Sequence, residues 1–532
     1  MTDLSDASTL PPGRSVAAEG EQLDPDQRLP RRTHVLVVGS GFSGLATVIG
    51  LTEAGYRDVV VIDRGQTVGG TWRDNTYPGA ACDVPSQLYS FSFALNPEWS
   101  TSYSAQPEIE RYLQGVTETF GVGDHIYGGV EMTGARWDAV TAEWEVTTSA
   151  GTIRAKVLAL GIGALCEPRL PDIAGIDSFA GPVMHTARWD HDVDLTGKRV
   201  AVIGTGASAI QIVPKISELA SHVDVYQRTP PWIVPRNDHP YGRLTRFAMR
   251  HVPGYQRLMR TSVYWYLESR VIGFVKQPKI MGAASKVAVA HLHSAVKDPT
   301  LRAKLTPNYT MGCKRILISN DYYPAIAKES TELVTDPIAE VRPHSIVTAD
   351  GTEREIDVLI VATGFFVTDN PTARLVVGSG GVSLAEHWDE HGMSAYKGVT
   401  IPGFPNMFYL LGPNTGLGHS SMVQMAEAHA NYTIDAIRTM DRHGIESVDL
   451  RPEVLDEYER GIQQDMKKTV WANGQCASWY NDKHGNNTTL WPGFTFTFRS
   501  MLQRFDLSSY RSVAVGDRAV HDQTPGDKEH VA

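Results

Sequence analysis

Short runs of aliphatic and β-branched residues alternate along this chain with longer segments whose apolar positions recur at helical spacing. The order strand, helix, strand repeats. That alternation predicts parallel sheets joined by crossover helices, so the fold class is α/β. Residues 34–38 read as a buried strand, 43–54 as a helix and 58–62 as the next strand, closing one βαβ unit. Residues 198–203, 207–219 and 222–227 repeat it. No short-period repeat accompanies the duplication, which therefore predicts two nucleotide-binding domains rather than a solenoid.

Composition narrows the function classes. The 532 residues suffice for several domains, and 42% apolar with 20% charged residues can bury more than one core. A formal net charge of −11 argues against a nucleic-acid partner. Two stretches lack Asp, Glu, Lys and Arg, 33–52 and 398–426, but glycines break the first and Pro402, Pro405 and Pro413 the second. Turns explain them, so no integral membrane segment is expected. Arg31 and Arg32 resemble a twin-arginine signal, yet the apolar residues after them belong to the first strand. Cys82, Cys166, Cys313 and Cys476 lie far apart, with no CxxC pair and no zinc-like spacing, which suits a reducing, cytoplasmic setting and no metal.

Polar tails are expected at 1–30 and 515–532. Residues 241–280 carry eight Arg or Lys against the single acid Glu268, a local net charge of +7, with Tyr255, Tyr264, Trp265, Tyr266 and Phe274 among them. A helical insertion with a solvated basic face and an aromatic packing face fits this pattern. A membrane-surface helix, or a wall attracting an anionic cofactor, is the alternative.

Two glycine-rich turns carry the chemistry. Gly39-Ser40-Gly41-Phe42-Ser43-Gly44 lies between a strand and a helix, and Asp63 ends the following strand, placed to accept from a ribose diol. The second copy is Gly204-Thr205-Gly206-Ala207-Ser208-Ala209, but its next strand ends in Gln227-Arg228-Thr229. A guanidinium in place of the diol acceptor suits a 2′-phosphate. The first turn therefore predicts FAD and the second NADPH. No cysteine pair lies near the first turn in sequence, so a disulfide is not the expected electron acceptor and O₂ is.

Between the turns stands Phe179-Ala180-Gly181-Pro182-Val183-Met184-His185-Thr186-Ala187-Arg188-Trp189-Asp190. This resembles the fingerprint FxGxxxHxxxW(P/D) of the type I Baeyer-Villiger monooxygenases, and the resemblance extends from about Arg32 to about Phe505. It implies two Rossmann-like dinucleotide-binding domains, for FAD and NADP, interrupted by the helical insertion. The FAD-binding domain would occupy 31–170 and 395–514, the NADP-binding domain 171–235 and 306–394, and the insertion 236–305. The stretch containing Gly70, Thr71, Trp72, Asp83 and Val84 resembles the segment wrapping the flavin, and Arg64 and Tyr89 join the same cofactor-binding set. Gly312-Cys313-Lys314-Arg315 resembles the GxKR segment, implying Arg315 beside the flavin and Lys314 near the NADP phosphate. Residues 357–364 resemble the return strand between the two domains. Ser478-Trp479-Tyr480 resembles a loop whose tryptophan closes over the nicotinamide.

The activity so implied consumes NADPH and O₂ and turns a ketone into an ester or lactone through a flavin-bound peroxide and a tetrahedral adduct. Arg315 would steady the oxygen anions and Asp83 would hold its guanidinium. His185, on the linker with Trp189, suits a hinge better than a general base. A nitrogen- or sulfur-oxygenating flavin monooxygenase, and a non-catalytic flavin- or NADP-sensing protein, remain the rivals. Neither the particular ketone nor the oligomeric state is encoded in these patterns.

Overall fold

All five residues of the strand Val59–Asp63 are buried, as are the last four of Arg32–Val38. Strands this apolar need cover on both faces, which a parallel sheet flanked by helices provides. The computed structural model describes residues 28–276, 280–476 and 478–515. The two expected tails therefore lie almost wholly outside the described residues.

In the first sheet, Arg32–Val38 sits between Val59–Asp63 and Gly151–Leu160, parallel to both, and Ile126–Gly128 extends the far edge. Glu143–Thr148, Met132–Asp138 and Val376–Val377 continue it beyond Gly151–Leu160, and Met407–Tyr409 pairs with that same strand. The helix Phe42–Glu53 packs on one face against the long helix Met422–His443. A Cβ at Gly50 would stand 2.5 Å from Ile434 Cδ1, so the small residue sets that approach.

The second sheet runs Thr331–Val334, His222–Tyr226, Arg199–Ile203, Val358–Val361, Val183–His185, all parallel. The helix expected over 207–219 is Ala207–Ile216, and its last turn tightens, with the Leu219 N–H donating to Ile216 O at 3.0 Å. Among the described residues, no helix is long and apolar enough to cross a membrane.

Within 241–280 the described residues form the helices Arg243–His251 and Tyr255–Ser269 and a π-turn at Ile272–Lys276; Arg243, Arg250, Arg257, Arg270 and Lys276 are exposed, as expected of a solvated basic face, while Arg246 and Arg260 are half-buried. Arg260 turns inward, its Nη1 donating to the carbonyls of Gln87 and Ser90, each at 3.0 Å. Arg250 pairs with Glu98, and Arg246 Nε donates to Tyr241 O at 3.0 Å. Of the aromatics expected to pack, Trp265 and Tyr266 are instead exposed, at 56% and 61%. The irregular chain around residues 87–98 leaves carbonyls without sheet or helix partners, and arginine donors satisfy some of them.

Candidate active site

In each sheet the glycine-rich turn leaves the C-terminal end of its first strand, where open parallel sheets place their ligands. Gly39 has φ +100°, and a Cβ there would stand 2.5 Å from Gly161 O. Gly204 repeats this, with φ +115° and a Cβ position 2.5 Å from Ala362 O. A side chain at Gly44 would meet Gly39 O at 1.8 Å, so helix and turn touch through bare backbone. The middle glycines differ. A Cβ at Gly41 comes no nearer than 3.7 Å to anything, and one at Gly206 meets nothing within 4 Å. The protein alone does not require glycine at either position; the open space above the turn is left for something else.

No side chain caps the helix Phe42–Glu53, whose N-cap is Gly41, and its first turn carries no acid. Its leading N–H groups and dipole are thus available to an anion. The helix Ala207–Ile216 is likewise uncapped, behind Gly206.

One cleft collects most of the first expected set. Gly39, Gly41, Phe42, Ser43, Asp63, Arg64, Gly70, Thr71, Trp72, Tyr89, Arg315 and Trp479 line it together. Gly44 lies beneath, within the turn packing. Trp72 Nε1 donates to Tyr89 Oη at 3.0 Å, and Phe42 meets the Tyr89 ring edge-on at 5.2 Å, so this wall is held rigid. Arg64 pairs with Glu167, and both line the cleft.

Asp63 sits where expected, but its lone pairs are already engaged. Ser40 N–H and Oγ both donate to Oδ2 at 2.7 Å, while Gly65 N–H and Arg73 Nη1 donate to Oδ1 at 2.8 and 2.7 Å. In this structure the carboxylate stitches the glycine turn to the strand end, and a ribose would have to displace a donor such as the Ser40 hydroxyl.

Arg315 is clamped from behind. Its Nε and Nη2 donate to the two oxygens of Asp83, each at 2.7 Å. Asp83 raises the Arg315 pKa above its already high value and outweighs the opposing effect of burial, so the group stays cationic. Nη1 makes no hydrogen bond among the described residues, and a third of the side chain is open to the cleft. Asp83, with buried Val84 next to it, is not itself a lining residue.

Asp83 is positioned by a contact between the two nucleotide units. Gln211, on the helix Ala207–Ile216, donates from Nε2 to Ala81 O at 2.9 Å and accepts from Tyr77 Oη at 2.8 Å. Gly79, with φ +86°, lets the chain pass 2.7 Å (as its Cβ would lie) from Gln211 O. Gln211 was not among the expected residues; no local spacing reveals a glutamine that bridges two sheets.

The second set assembles at the end of His222–Tyr226, away from the lining of the cleft. Arg228 is exposed, and Thr205 Oγ1 donates to Thr229 O at 3.2 Å, tying the second turn to that strand end. Gly204, Ala207 and Ser208 flank it. Burial first, and the Arg228 guanidinium second, push the Lys314 pKa down. Lys314 Nζ lies over the Tyr309 ring, 5.2 Å from its centroid, and neither Lys314 nor Arg228 makes an ion pair among the described residues.

His185 is buried on the linker, with Nδ1 accepting from Ala187 N–H at 3.1 Å and the ring edge-on to Phe365 at 5.7 Å. Burial is the main reason its pKa falls to about 4. It is a neutral packing group and a weak base. Trp189 is half-buried against the core of the second sheet.

Three further features go beyond the expected site residues. Tyr480, buried with its pKa pushed up to about 12 chiefly by that burial, lines the cleft beside Trp479. Leu411, Pro413, Thr415, Gly416 and Leu417 of the uncharged stretch 398–426 form another wall. The third joins two of the widely spaced cysteines: Cys313 and Cys476 are disulfide-bonded, 163 residues apart in sequence. Cys82 and Cys166 are free.

Known proteins are similar to this chain. A family model described as pyridine nucleotide-disulphide oxidoreductase matches residues 36–249. A Baeyer-Villiger monooxygenase of Streptomyces coelicolor is 46% identical over 507 residues, covering 94% of this chain and 98% of that one. Another, of Pseudomonas aeruginosa, is 43% identical over 488 residues, covering 91% and 92%. The crystal structure of OTEMO in complex with FAD and NADP matches with a TM-score of 0.81 at 26% identity, covering 90% of this chain and 99% of that one. Identity this high along almost the entire length, in chains of matching extent, makes the lineage plain: the protein belongs to the Baeyer-Villiger monooxygenase family.

Proposed function

We propose that this chain uses NADPH and O₂ to convert ketones into esters or lactones, with FAD in the cleft of the first sheet and NADPH on the turn of the second. The observation that carries the reading is Arg315, a permanent cation clamped by Asp83 and opening into the same cleft as the first glycine turn and Trp479. When bound, FAD supplies the two-electron chemistry that takes hydride from NADPH and activates oxygen.

The residues present fit that cofactor. The uncapped helix behind Gly41 receives a pyrophosphate, and the bare Gly41 surface admits it at backbone distance. Arg315 then faces negative charge that develops on oxygen, in a cleft walled by Tyr480 and Trp479, where low water content strengthens the interaction. Asp83 orients the guanidinium, Gln211 and Tyr77 orient the Asp83 segment, and His185 acts as a packed hinge. Arg228, Thr229 and Lys314 take the 2′-phosphate. The division into a split FAD domain, a split NADP domain and an insertion over 236–305, and a cytoplasmic setting, belong to the same reading.

Incubation with NADPH, air and a panel of cyclic, aromatic and long-chain ketones is expected to yield the ester or lactone, identified by mass spectrometry, with NADPH consumption rising on addition of ketone. Oxygenation of an amine or sulfide alone would favour the rival monooxygenase, and no response of NADPH consumption to any of them would favour the sensor. The middle glycine gives a second test. Gly41→Ala is expected to leave the melting temperature of the cofactor-free protein within about 2 °C, because its Cβ has room. The FAD content of the purified variant should fall several-fold. Equal loss of fold and cofactor would remove the argument that this space is kept for FAD.

A further inference from the structure

We propose that Cys313 and Cys476 form a peroxide-responsive latch that pins the Trp479 segment against the Arg315 turn. The inference rests on the monooxygenase reading above and goes beyond it. Both sulfurs lie close in sequence to the groups that matter: Cys313 two residues before Arg315, and Cys476 three before Trp479. Both Arg315 and Trp479 line the cleft, whereas neither cysteine does. The bond is therefore out of line to take electrons from a cofactor in that cleft, but it ties together two of its walls.

The surroundings make the tie specific. The Thr310 N–H donates to Gly474 O at 3.1 Å, and a Cβ at Gly474 would come within 2.5 Å of Cys313 Cβ, so the two segments touch through a bare glycine. Phe274, Met311, Val470, Trp471 and Tyr480 close an apolar cluster around Cys313, which is itself fully buried. Cys476 is only half-buried at the edge of this cluster. Solvent reagents meet Cys476 first, and Cys313 is the resolving partner.

Disulfides in cytosolic enzymes are as a class transient and redox-sensing, and this enzyme class carries its own oxidant. Whenever oxygen is reduced without ketone turnover, hydrogen peroxide leaves the cleft. The Cys476 thiolate attacks one peroxide oxygen, the O–O bond breaks, and a sulfenic acid and hydroxide form. Attack by the Cys313 thiolate on that sulfur closes the S–S bond and expels the second oxygen, so two thiols and one peroxide become one disulfide and two waters. A dithiol reverses the change by two exchange steps, leaving as its own disulfide. Leakage through an open loop thereby fastens the loop.

Fastening slows the opening that cofactor and product exchange require. Holoenzyme is reduced with dithiothreitol or oxidised with hydrogen peroxide, desalted, and assayed with NADPH both with and without ketone. Under non-reducing digestion the oxidised sample is expected to contain a Cys313–Cys476 crosslinked peptide. Its kcat should be about fivefold below that of the reduced sample, since lid opening commonly limits turnover. Peroxide released per NADPH in the absence of ketone should fall as well, and dithiothreitol should restore both values. Cys476→Ser is expected to behave as reduced wild type under either treatment. Free thiols at both positions after peroxide treatment, or equal rates in the two wild-type samples, would overturn the latch, and neither outcome depends on a variant folding. If the crosslink forms and NADPH oxidation responds while no ketone is oxygenated, the ester-forming reading fails and the latch stands.

Discussion

Arg315→Ala should lower ester formation by at least about a hundredfold while the protein still folds and retains FAD. The argument begins with charge. Removing one preorganised donor from an oxyanion site costs about 3 to 4 kcal/mol, or two to three orders of magnitude in rate. Here the loss compounds, because Asp83 would keep its carboxylate in place with no partner and turn a cationic wall into an anionic one. FAD retention should survive, since the first glycine turn, Trp72 and Tyr89 line the cleft independently of residue 315. Arg315→Lys is the informative companion. It keeps the positive charge but not the fork that binds both Asp83 oxygens, so an intermediate rate, about tenfold above alanine, is expected. The measurements are ester formation at saturating ketone, the FAD-to-protein absorbance ratio, and anaerobic reduction of the flavin by NADPH. An alanine variant forming ester within threefold of wild type would sink the assignment of Arg315.

The same residue shows how far the chain can be read without its fold. Glycine turns are legible because a positive φ or a close backbone approach is a local demand, and Gly39, Gly44 and Gly204 stand where that demand is met. The sequence singles out Arg228 because one residue at a strand end separates two phosphate chemistries, and the residue does lie exposed just past that strand. The placement of Arg315 came through resemblance, and its clamp through Asp83, Ala81 and Gln211 depends on two sheets meeting. Asp63 marks a middle case: the spacing finds it, yet only the coordinates reveal that Ser40, Gly65 and Arg73 occupy its oxygens. The inward turn of Arg260 and the Cys313–Cys476 bond leave no local trace, because each joins segments more than 150 residues apart in the chain. Long-range pairing of polar groups follows from leftover carbonyls and shared cores, neither of which has a sequence period.

Arg228→Ala should raise the KM for NADPH by about 10 to 100-fold and leave the KM for NADH nearly unchanged. The 2′-phosphate is the only group distinguishing the two, and a hydrogen bond to a charged group contributes about 1.5 to 3 kcal/mol, which is about one to two decades. The geometry points the same way: Arg228 is exposed and Lys314 half-buried, burial and then Arg228 lower the Lys314 pKa, and no carboxylate pairs with either among the described residues. Two like charges held together without a counter-ion are relieved when an anion of about two charges settles between them. Since the phosphate is remote from the reacting atoms, its contacts bind ground and transition states alike, and kcat at saturating NADPH should stay within about twofold. Salt gives an independent check. Exposed charges are screened over about 8 Å at physiological ionic strength, so the NADPH KM of wild type should rise with added salt, and that slope should flatten in the variant. Lys314→Ala should act in the same direction, and the double variant should fall short of the product of the two single effects because both cations contact one phosphate. Parallel losses for NADH and NADPH would mean that Arg228 supports the fold of the strand end and reads no phosphate.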